Sequence, residues 1–371
     1  MNPQILFLAL VWVLVALPAV SQQIISPEIS ADGRVTFRLR AAQANEAQVR
    51  CEGVKGGAMQ KDEQGTWSFQ TEPLAPDIYS YSFMVDGGRV IDPSNPLLKY
   101  NLLNTESQVH VPGPPSLAWE INDVPRGQVH HHFYKSAVAG DERDFYVYTP
   151  PSYDARQRRR YPVLYLLHGF SDDASAWTSV GLANVILDNL IARGQAKPMV
   201  VVMPLGYGTM EVVRAGWGGV RRRGLWETNM SKFRDTLLEE VMPQAERAYR
   251  LASGPGERAI AGLSMGGAES LLVGLNNPDR FGWVGAFSSG GVGTNYSEMF
   301  PKVDGKTNER LRLLWIGCGE QDGLLAPNER FSEWLTAKGV HHTWVHTPGQ
   351  HSFRVWRRYL AQFAPLLFQH Q

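Results

Sequence analysis

The chain has 371 residues, of which 43% are hydrophobic, so it is long enough to bury a large core and to form two domains. Its 36 basic residues balance its 36 acidic residues, and the formal net charge is zero. This balance excludes a strongly basic protein that binds nucleic acid or an anionic membrane through its overall charge.

The first residues predict a signal peptide. An apolar run from Ile5 to Val20 ends in the small-residue pattern Ala19-Val20-Ser21, and a run of about 16 residues is too short to span a bilayer comfortably. We therefore expect residues 1–21 to be cleaved and the mature protein to be secreted or periplasmic, without membrane association. Because no Lys or Arg precedes the apolar run, a retained amino-terminal anchor stays open as the alternative.

Residues 22–112 predict a small all-β domain. Short alternating runs, such as Val35 to Arg40 and Tyr79 to Phe83, are separated by turn signals rich in Gly, Asp and Pro. Short strands at this spacing are typical of a β-sandwich. A proline-rich stretch then begins a predicted stiff linker, residues 113–127, which separates this domain from the rest of the chain.

The predicted sandwich resembles the immunoglobulin-like, early-set modules of the family forty-eight carbohydrate-binding type. The resemblance is carried by Ser26-Pro27-Glu28, Gly65-Thr66-Trp67, Ile78-Tyr79-Ser80-Tyr81 and Val85-Asp86-Gly87. It implies a domain that could contact a glycan, with Trp67 and Tyr81 as the aromatic residues that could stack on sugar rings. Burial of both inside the sandwich is the alternative, and it is the more frequent outcome for such residues.

From Gln128 onward, apolar runs alternate with helical periods. The runs are Val163 to Leu167, Met199 to Met203, Ala259 to Ala261, Val284 to Phe287, Leu313 to Ile316 and Thr343 to Val345. Continuous apolar strands separated by helices indicate a mostly parallel sheet with helices on both faces. Residues 128–371 are therefore expected to form one α/β domain after the all-β domain.

One turn in the α/β region predicts a nucleophile. Gly262-Leu263-Ser264-Met265-Gly266 lies between a strand and a helical period, and such a turn lifts the serine hydroxyl clear of the sheet. Asp322 follows a later strand and His351 lies in a loop before the last helical period, which is the chain order Ser, Asp, His of α/β-hydrolases. Glu320 is the nearest competitor of Asp322 for the acid.

These residue types suit acyl transfer. His351 would take the proton of Ser264 and later protonate the leaving alkoxide, while Asp322 would fix the imidazole tautomer. The backbone N–H of Met265, directly after the nucleophile, is one predicted donor of an oxyanion hole. The N–H of Phe170, in the turn after the strand that ends at Leu167, is the other.

The segment from Gly206 to Trp226 is rich in Gly and Arg and predicts a border of the active site. Trp217 and Trp226 within it could hold an aromatic acyl group, and a packing role for either stays open.

The sequence predicts no metal site and no cofactor, because it has no Cys pair and no nucleotide-binding loop. His341 and His342 are adjacent on a strand, so their side chains would point to opposite faces of the sheet. Cys51 and Cys318 are predicted to be free thiols, since they are separated by most of the chain and fall in different predicted domains.

The α/β region resembles the esterase D-like family of α/β-hydrolases. This family contains the feruloyl esterases of carbohydrate esterase family one, the enterochelin esterases, the formylglutathione hydrolases and the mycolyl transferases. The resemblance covers nearly all of residues 128–367 and is carried by Tyr146 to Pro151, Tyr161 to Gly169, Gly262 to Gly267 and His351 to Leu360. It implies a serine esterase, and its motifs do not define the ester.

The predicted export signal and the added β-domain narrow the choice within this family. Formylglutathione hydrolases are cytoplasmic and enterochelin esterases act inside the cell, so the combination most resembles a bacterial feruloyl esterase of plant cell-wall degradation. The resemblance implies a feruloylated xylan or oligosaccharide ester as substrate. An enterochelin-type siderophore esterase, an acetyl xylan esterase and, more remotely, a non-catalytic glycan-binding protein stay open. The sequence does not define the oligomeric state.

The predicted division into domains has a consequence for truncation. Ser264, Asp322, His351 and both proposed oxyanion donors all follow the linker. Removal of residues 22–113 is therefore expected to spare the turnover of a small soluble ester, unless the exposed docking face destabilises the remainder.

Overall fold

A computed structural model describes residues 23–369 of the chain. The predicted signal peptide, residues 1–21, lies outside the described residues. No helix within residues 23–369 has the length and apolar character needed to cross a membrane.

Residues 28–111, called the N-terminal β-region below, form two antiparallel sheets. The strands are β1 (Glu28–Ile29), β2 (Val35–Arg40), β3 (Ala47–Cys51), β4 (Gly57–Ala58), β5 (Gln60–Lys61), β6 (Thr66–Gln70), β7 (Asp77–Val85), β8 (Gly88–Val90), β9 (Leu98–Lys99) and β10 (Glu106–Val111). One sheet has the order β1-β2-β6-β5, and the other has the order β4-β3-β7-β10-β9 with β8 paired to β7. Alternate residues of β2 and β3 are buried, as the period of two predicts.

Both aromatic residues that could stack on sugars lie in the core of this region. Trp67 is 7% exposed and its Nε1 donates to the carbonyl of Ala41 at 2.9 Å. Tyr81 is fully buried and its hydroxyl donates to Asp92 Oδ2 at 2.7 Å. Burial, the alternative from the sequence, is therefore the outcome, and these residues offer no open ring face to a glycan.

The α/β region is built on one eight-stranded sheet. Its strands are β11 (Gln128–Lys135), β12 (Glu142–Thr149), β13 (Val163–Leu167), β14 (Val200–Pro204), β15 (Arg258–Leu263), β16 (Trp283–Phe287), β17 (Leu313–Gly319) and β18 (Thr343–Thr347). The order is β11-β12-β14-β13-β15-β16-β17-β18. The pairs β11–β12 and β12–β14 are antiparallel, and all pairs from β14–β13 to β17–β18 are parallel. Each of the six predicted apolar strands is confirmed. The strands β13, β14 and β16 are buried along their whole length because helices cover both faces.

The helices lie on both sides of this sheet. They are α1 (Ala176–Ser179), α2 (Ala183–Ala192), α3 (Glu211–Arg214), α4 (Arg223–Asp235), α5 (Met242–Ala248), α6 (Met265–Asn276), α7 (Tyr296–Met299), α8 (Thr307–Arg310), α9 (Leu325–Ala337) and α10 (Phe353–Phe363). One core joins the sheet to α2 and α10, and the other joins it to α5, α6 and α9. A π-helix, Thr236–Val241, connects α4 to α5. The predicted α/β-hydrolase fold is confirmed.

The predicted linker, residues 113–127, is not a free spacer. It contains neither helix nor strand, yet Trp119 is buried in the core shared by α2 and α10. The side-chain amide of Asn189 in α2 donates to the carbonyls of Ala118 and Glu120, each at 2.8 Å. Because these contacts fix the segment on the α/β region, it holds the two regions together instead of separating them.

A buried ion cluster also joins the two regions. Asp77 of β7 is fully buried and contacts three arginines of α10. Its Oδ2 lies 2.6 Å from Arg358 Nη2 and 3.3 Å from Arg354 Nε, and its Oδ1 lies 3.3 Å from Arg357 Nη2. Arg357 is itself buried and donates to the carbonyl of Ile78 at 2.7 Å. The helix that begins two residues after His351 is thus anchored on the N-terminal β-region.

Candidate active site

Ser264 occupies a strained turn between β15 and α6. Its φ of 52° is unusual for a residue with a side chain and marks stored backbone strain. A Cβ on Gly266 would lie 2.5 Å from the carbonyl oxygen of His168, and a Cβ on Gly262 would lie 2.5 Å from the backbone of Gly266. Both flanking glycines are therefore required by close backbone approach, as the sequence predicts.

The turn brings Ser264 to His351 and Asp322. His351 Nε2 lies 3.0 Å from Ser264 Oγ, and His351 Nδ1 lies 2.8 Å from Asp322 Oδ2. Glu320, the competing acid, instead faces His346 at 3.6 Å. The carboxyl ends of β15, β17 and β18 thus bring the three predicted residues together, in an arrangement in which Nδ1 donates to the carboxylate and Nε2 accepts from the hydroxyl.

Asp322 is held in its ionised form. Its side chain is only 1% exposed, and its Oδ1 accepts the backbone N–H of Leu324 at 2.8 Å. Burial acts to raise the pKa of Asp322, but the hydrogen bond and charge of His351, together with the Leu324 N–H, hold the pKa below its ordinary value. An ionised carboxylate at this position fixes the imidazole ring and its tautomer.

Trp356, on α10, was not predicted as a site residue. Its ring meets His351 edge to face with centroids 4.8 Å apart, and its Nε1 donates to Ser288 Oγ at 3.1 Å. These contacts limit the rotation of the imidazole. The helical spacing of residues 353–363 predicts a buried face that includes Trp356, but it carries no signal for the contact with His351.

The two predicted oxyanion donors lie beside Ser264. Met265 is the first residue of α6, so its N–H has no carbonyl partner within the helix. The turn that holds Phe170 packs on the nucleophile, since a Cβ on Gly169 would lie 3.3 Å from Ser264 Cβ.

His168 orients the turn that holds Phe170. Its Nδ1 donates to the carbonyl of Gly169 at 2.8 Å, and its Nε2 accepts the N–H of Gly206 at 2.8 Å. Complete burial lowers the pKa of His168 and keeps the ring neutral, which this pair of bonds requires. Because C=O and N–H point in opposite directions across a trans peptide, the Phe170 N–H points away from His168.

A cleft of about 260 Å³ lies above Ser264 and His351. Trp217 borders it, 56% exposed, with its ring centroid 5.2 Å from that of Phe170. Trp226 does not border this cleft; its Nε1 donates to the carbonyl of Gly291 at 3.3 Å. Of the two tryptophans predicted to bind substrate, Trp217 borders the cleft beside Ser264, whereas the indole of Trp226 lies against Gly291.

One wall of the cleft comes from the N-terminal β-region, which the sequence did not indicate. Its residues in the cleft are Arg89, Lys99, Asn101, Asn104 and Glu106. They occupy β8, the end of β9, the following loop and the start of β10, and neither their spacing nor their composition marks them as site residues. They enter the cleft only because the two regions dock against each other.

Asn101 clamps this wall to the turn beside the nucleophile. Its Nδ2 donates to Ser171 Oγ at 2.9 Å and to Asp172 Oδ1 at 3.0 Å, and the N–H of Leu102 donates to the carbonyl of Ser171 at 2.7 Å. Asp172 is buried, and burial raises its pKa to about 6. The turn that holds Phe170 is therefore fixed from both regions of the chain.

The remaining predictions concern metals and thiols. Within residues 23–369 no cluster of His, Cys, Asp and Glu side chains is arranged to hold a metal ion. Cys51 and Cys318 are both free and buried, which confirms the prediction of two free thiols. Burial raises the pKa of each thiol to about 12, so neither is a reactive thiolate at neutral pH.

The fold and the Ser–His–Asp geometry define a serine hydrolase of the α/β-hydrolase class. Residues 136–367 match the protein family described as "Putative esterase". The chain belongs to this family and is a carboxylic ester hydrolase.

A curated relative supports this assignment. The endo-1,4-beta-xylanase/feruloyl esterase of Xylanibacter ruminicola is 29% identical over 354 residues, which are 92% of this chain and 46% of the relative. The chain thus spans about half the length of that relative.

Two solved structures are similar to the chain, one over about two thirds of its length and one over nearly all of it. A ferulic acid esterase of Anaeromyces mucronatus matches 67% of this chain and 93% of its own, with 25% identity and a TM-score of 0.58. An enterochelin esterase of Shigella flexneri matches 94% of this chain and 96% of its own, with a TM-score of 0.69. At 20% identity, the second likeness concerns the fold alone.

Proposed function

We propose that this protein is a secreted or periplasmic feruloyl esterase, which releases ferulate or related hydroxycinnamates from esters of plant cell-wall arabinoxylan. The observation that carries the proposal is the Ser264–His351–Asp322 chain of hydrogen bonds at a cleft bordered by aromatic rings. The names of the Xylanibacter relative and the Anaeromyces structure support the same substrate class.

The chemistry begins at Ser264. His351 Nε2 takes the hydroxyl proton as Oγ attacks the ester carbonyl, and the imidazolium that forms is stabilised by Asp322. The negative charge that develops on the carbonyl oxygen is stabilised by the N–H groups of Met265 and Phe170. Each such donor contributes about 3–4 kcal/mol to stabilising the transition state.

The second half of the cycle regenerates the enzyme. His351 gives its proton to the departing sugar alkoxide, which leaves the hydroxycinnamoyl group esterified to Ser264. Water then attacks this acyl-enzyme with His351 as general base, and the acid product leaves as Ser264 recovers its proton. No cofactor or metal takes part in these steps.

The aromatic border suits the acyl half of such an ester. Phe170, Trp217, Phe353 and Trp356 all border the cleft next to Ser264. Only Trp217 has an open ring, at 56% exposure, while the other three rings are less than 10% exposed and form the floor behind it. Flat aromatic side chains favour an aromatic acyl group because offset or edge-to-face ring pairs add about 0.5–1.5 kcal/mol beyond simple burial. An acetyl group would leave most of this surface unused, which disfavours an acetyl xylan esterase.

An enterochelin-type siderophore esterase is the second candidate. The observation in its favour is that the Shigella enterochelin esterase is similar in fold across 94% of the chain, including the N-terminal β-region. A catecholate acyl group is also aromatic, so the cleft border alone does not separate the two substrates. The export signal predicted from the sequence and the feruloyl esterase activity named for the Xylanibacter relative favour the feruloyl ester.

The proposal extends to the organisation of the chain. Residues 1–21 act as a cleaved signal peptide, and residues 22–112 form an immunoglobulin-like module of the family forty-eight carbohydrate-binding type. Residues 113–127 connect this module to the esterase domain, residues 128–371. The two antiparallel sheets with a shared apolar core support such a module, while the burial of Trp67 and Tyr81 means that any glycan contact uses other residues.

A turnover panel tests the proposed function. We expect kcat/KM for methyl ferulate and methyl p-coumarate to exceed that for an acetylated xylan by about fivefold or more, because one well-placed aromatic contact, here with the exposed ring of Trp217, is worth about 1 kcal/mol. A catecholate siderophore ester serves as the competing substrate. Faster turnover of that ester would favour the second candidate, and no turnover of any ester would indicate a glycan-binding protein without activity.

A further inference from the structure

The two walls of the cleft differ in chemistry. The wall from the α/β region is aromatic: it presents the exposed ring of Trp217 and the edges of the buried rings of Phe170, Phe353 and Trp356 beside the nucleophile. The wall from the N-terminal β-region presents amide and charged side chains only: Arg89, Lys99, Asn101, Asn104 and Glu106. An ester with one aromatic half and one hydroxyl-rich half would match both walls at once.

The wall from the N-terminal β-region is called the polar wall below, and its charged groups neutralise one another in part. Glu106 lies between two cations, with Oε1 at 3.3 Å from Arg89 Nη1 and Oε2 at 3.2 Å from Lys99 Nζ. The three side chains are partly exposed, between 21% and 39%. Together they present donors and acceptors with a single net positive charge. Mixed donors and acceptors suit neutral hydroxyl groups, each of which both donates and accepts, better than they suit an anion.

Asn104 adds a further group to this wall. Its side-chain amide is exposed and makes no hydrogen bond to the described part of the chain, although its backbone N–H is held by Asn101 Oδ1 at 3.0 Å. The backbone of Asn104 is thereby fixed while its amide stays available. An amide can both donate to and accept from a sugar hydroxyl.

The polar wall has a fixed position relative to the nucleophile. Asn101 and Leu102 bind Ser171 and Asp172, which directly follow the proposed oxyanion donor Phe170. The buried Asp77 cluster anchors the same region on α10, which follows His351. A binding surface held at both points keeps a constant distance from the scissile bond, and such positioning is what converts binding into turnover.

We propose that the N-terminal β-region forms the subsite for the alcohol half of the substrate, in which Arg89, Asn104 and Glu106 bind the hydroxyl groups of a sugar. This inference rests on the proposed function and deepens it by naming the residues that bind the sugar of the ester. The N-terminal β-region thus contacts the substrate in the active site itself. The aromatic wall takes the acyl group, and the polar wall takes the sugar.

Two alanine variants test the inference in the full-length protein. Arg89→Ala is expected to lower kcat/KM by about tenfold for a feruloylated arabinoxylan oligosaccharide, because it removes a charged hydrogen-bond donor to the sugar. Asn104→Ala is expected to lower it by about threefold to tenfold, because the amide is neutral. For methyl ferulate, which has no sugar, both variants are expected to stay within about twofold of the wild type. Arg40→Ala is the matched control, because Arg40 is exposed on β2 of the same region and lies away from the cleft.

The possible outcomes separate this inference from the proposed function. Equal losses on both esters, or no loss on either, would overturn the sugar subsite while wild-type turnover of methyl ferulate still supports a feruloyl esterase. Wild-type protein that hydrolyses no hydroxycinnamate ester would overturn the proposed function, and the inference with it. Asn104→Ala also guards against a folding artefact, because its side chain makes no hydrogen bond within the described chain.

Discussion

Replacement of Ser264 by alanine is expected to lower kcat for methyl ferulate by about four to six orders of magnitude. The members of a Ser–His–Asp triad act as one unit, so the loss of the nucleophile removes nearly the whole effect of the triad. What remains is the contribution of the oxyanion donors and of substrate binding. The rate of ferulate release, measured by chromatography at saturating substrate, gives the loss directly.

The Ser264 variant is also expected to fold normally, since within residues 23–369 the Ser264 hydroxyl hydrogen-bonds to His351 alone and to no backbone group. Circular dichroism and the thermal midpoint check this. Ser231→Ala is a suitable control, because Ser231 is exposed on α4 and its hydroxyl donates to the carbonyl of Thr228, away from the active site. A folded Ser264→Ala protein that keeps more than about 1% of wild-type kcat would disprove the proposed mechanism.

The second large effect concerns stability. Replacement of Asp77 by alanine is expected to lower the free energy of unfolding by about 3–5 kcal/mol, because it leaves the buried Arg357 without its counter-charge. The three arginines of α10 would also repel one another. The change is large against the roughly 5–15 kcal/mol by which domains are usually stable. Unfolding in urea, followed by circular dichroism, measures it.

A surface ion pair provides the control for Asp77. Glu28 contacts Arg38 at 2.7 Å, with the two side chains 54% and 32% exposed, and Glu28→Ala is expected to cost at most about 1 kcal/mol. If Asp77→Ala costs no more than Glu28→Ala, the ion cluster does not hold the two regions together. Asp77→Asn, which keeps the shape of the side chain, is expected to fall between the two.

The Asp77 cluster bears on the expectation from the sequence about truncation. The chain order places all proposed catalytic groups after the linker, which suggested that residues 22–113 can be removed without loss of chemistry on a small ester. The structure shows instead that α10, which begins just after His351, is docked on Asp77 and that part of the cleft wall belongs to the removed segment. Truncation would expose the buried Arg357 and open the active site on one side.

The sequence was most informative where local pattern and topology act together. Continuous apolar runs separated by helical periods predict a parallel sheet, and the carboxyl ends of its strands meet at one edge. Ser264, Asp322 and His351 each follow such a strand, so their chain order alone was enough to bring them together. The flanking glycines of Ser264 were predictable for a similar reason, since the strained turn demands them.

The cleft wall was not predictable because it depends on contact between surfaces. Lys99 and Glu106 look like ordinary exposed strand residues, and Asp77 looks like a turn residue before a strand. Only the docking of one region on the other brings Lys99 and Glu106 into the cleft and makes Asp77 the partner of α10. The sequence also could not distinguish Trp217 from Trp226. They are the same residue type in one segment, and only the local path of the chain decides which ring reaches the cleft.

The most direct test of the central claim is covalent labelling of Ser264 by a serine-reactive fluorophosphonate, with and without methyl ferulate. The nucleophile of a triad is activated by its histidine, so it reacts far faster than other serines. The predicted result, read by mass spectrometry of proteolytic peptides, is a single labelled serine at position 264 whose labelling slows as the methyl ferulate concentration rises. Labelling at another serine, or labelling of Ser264 at a rate that methyl ferulate does not change, would contradict the account.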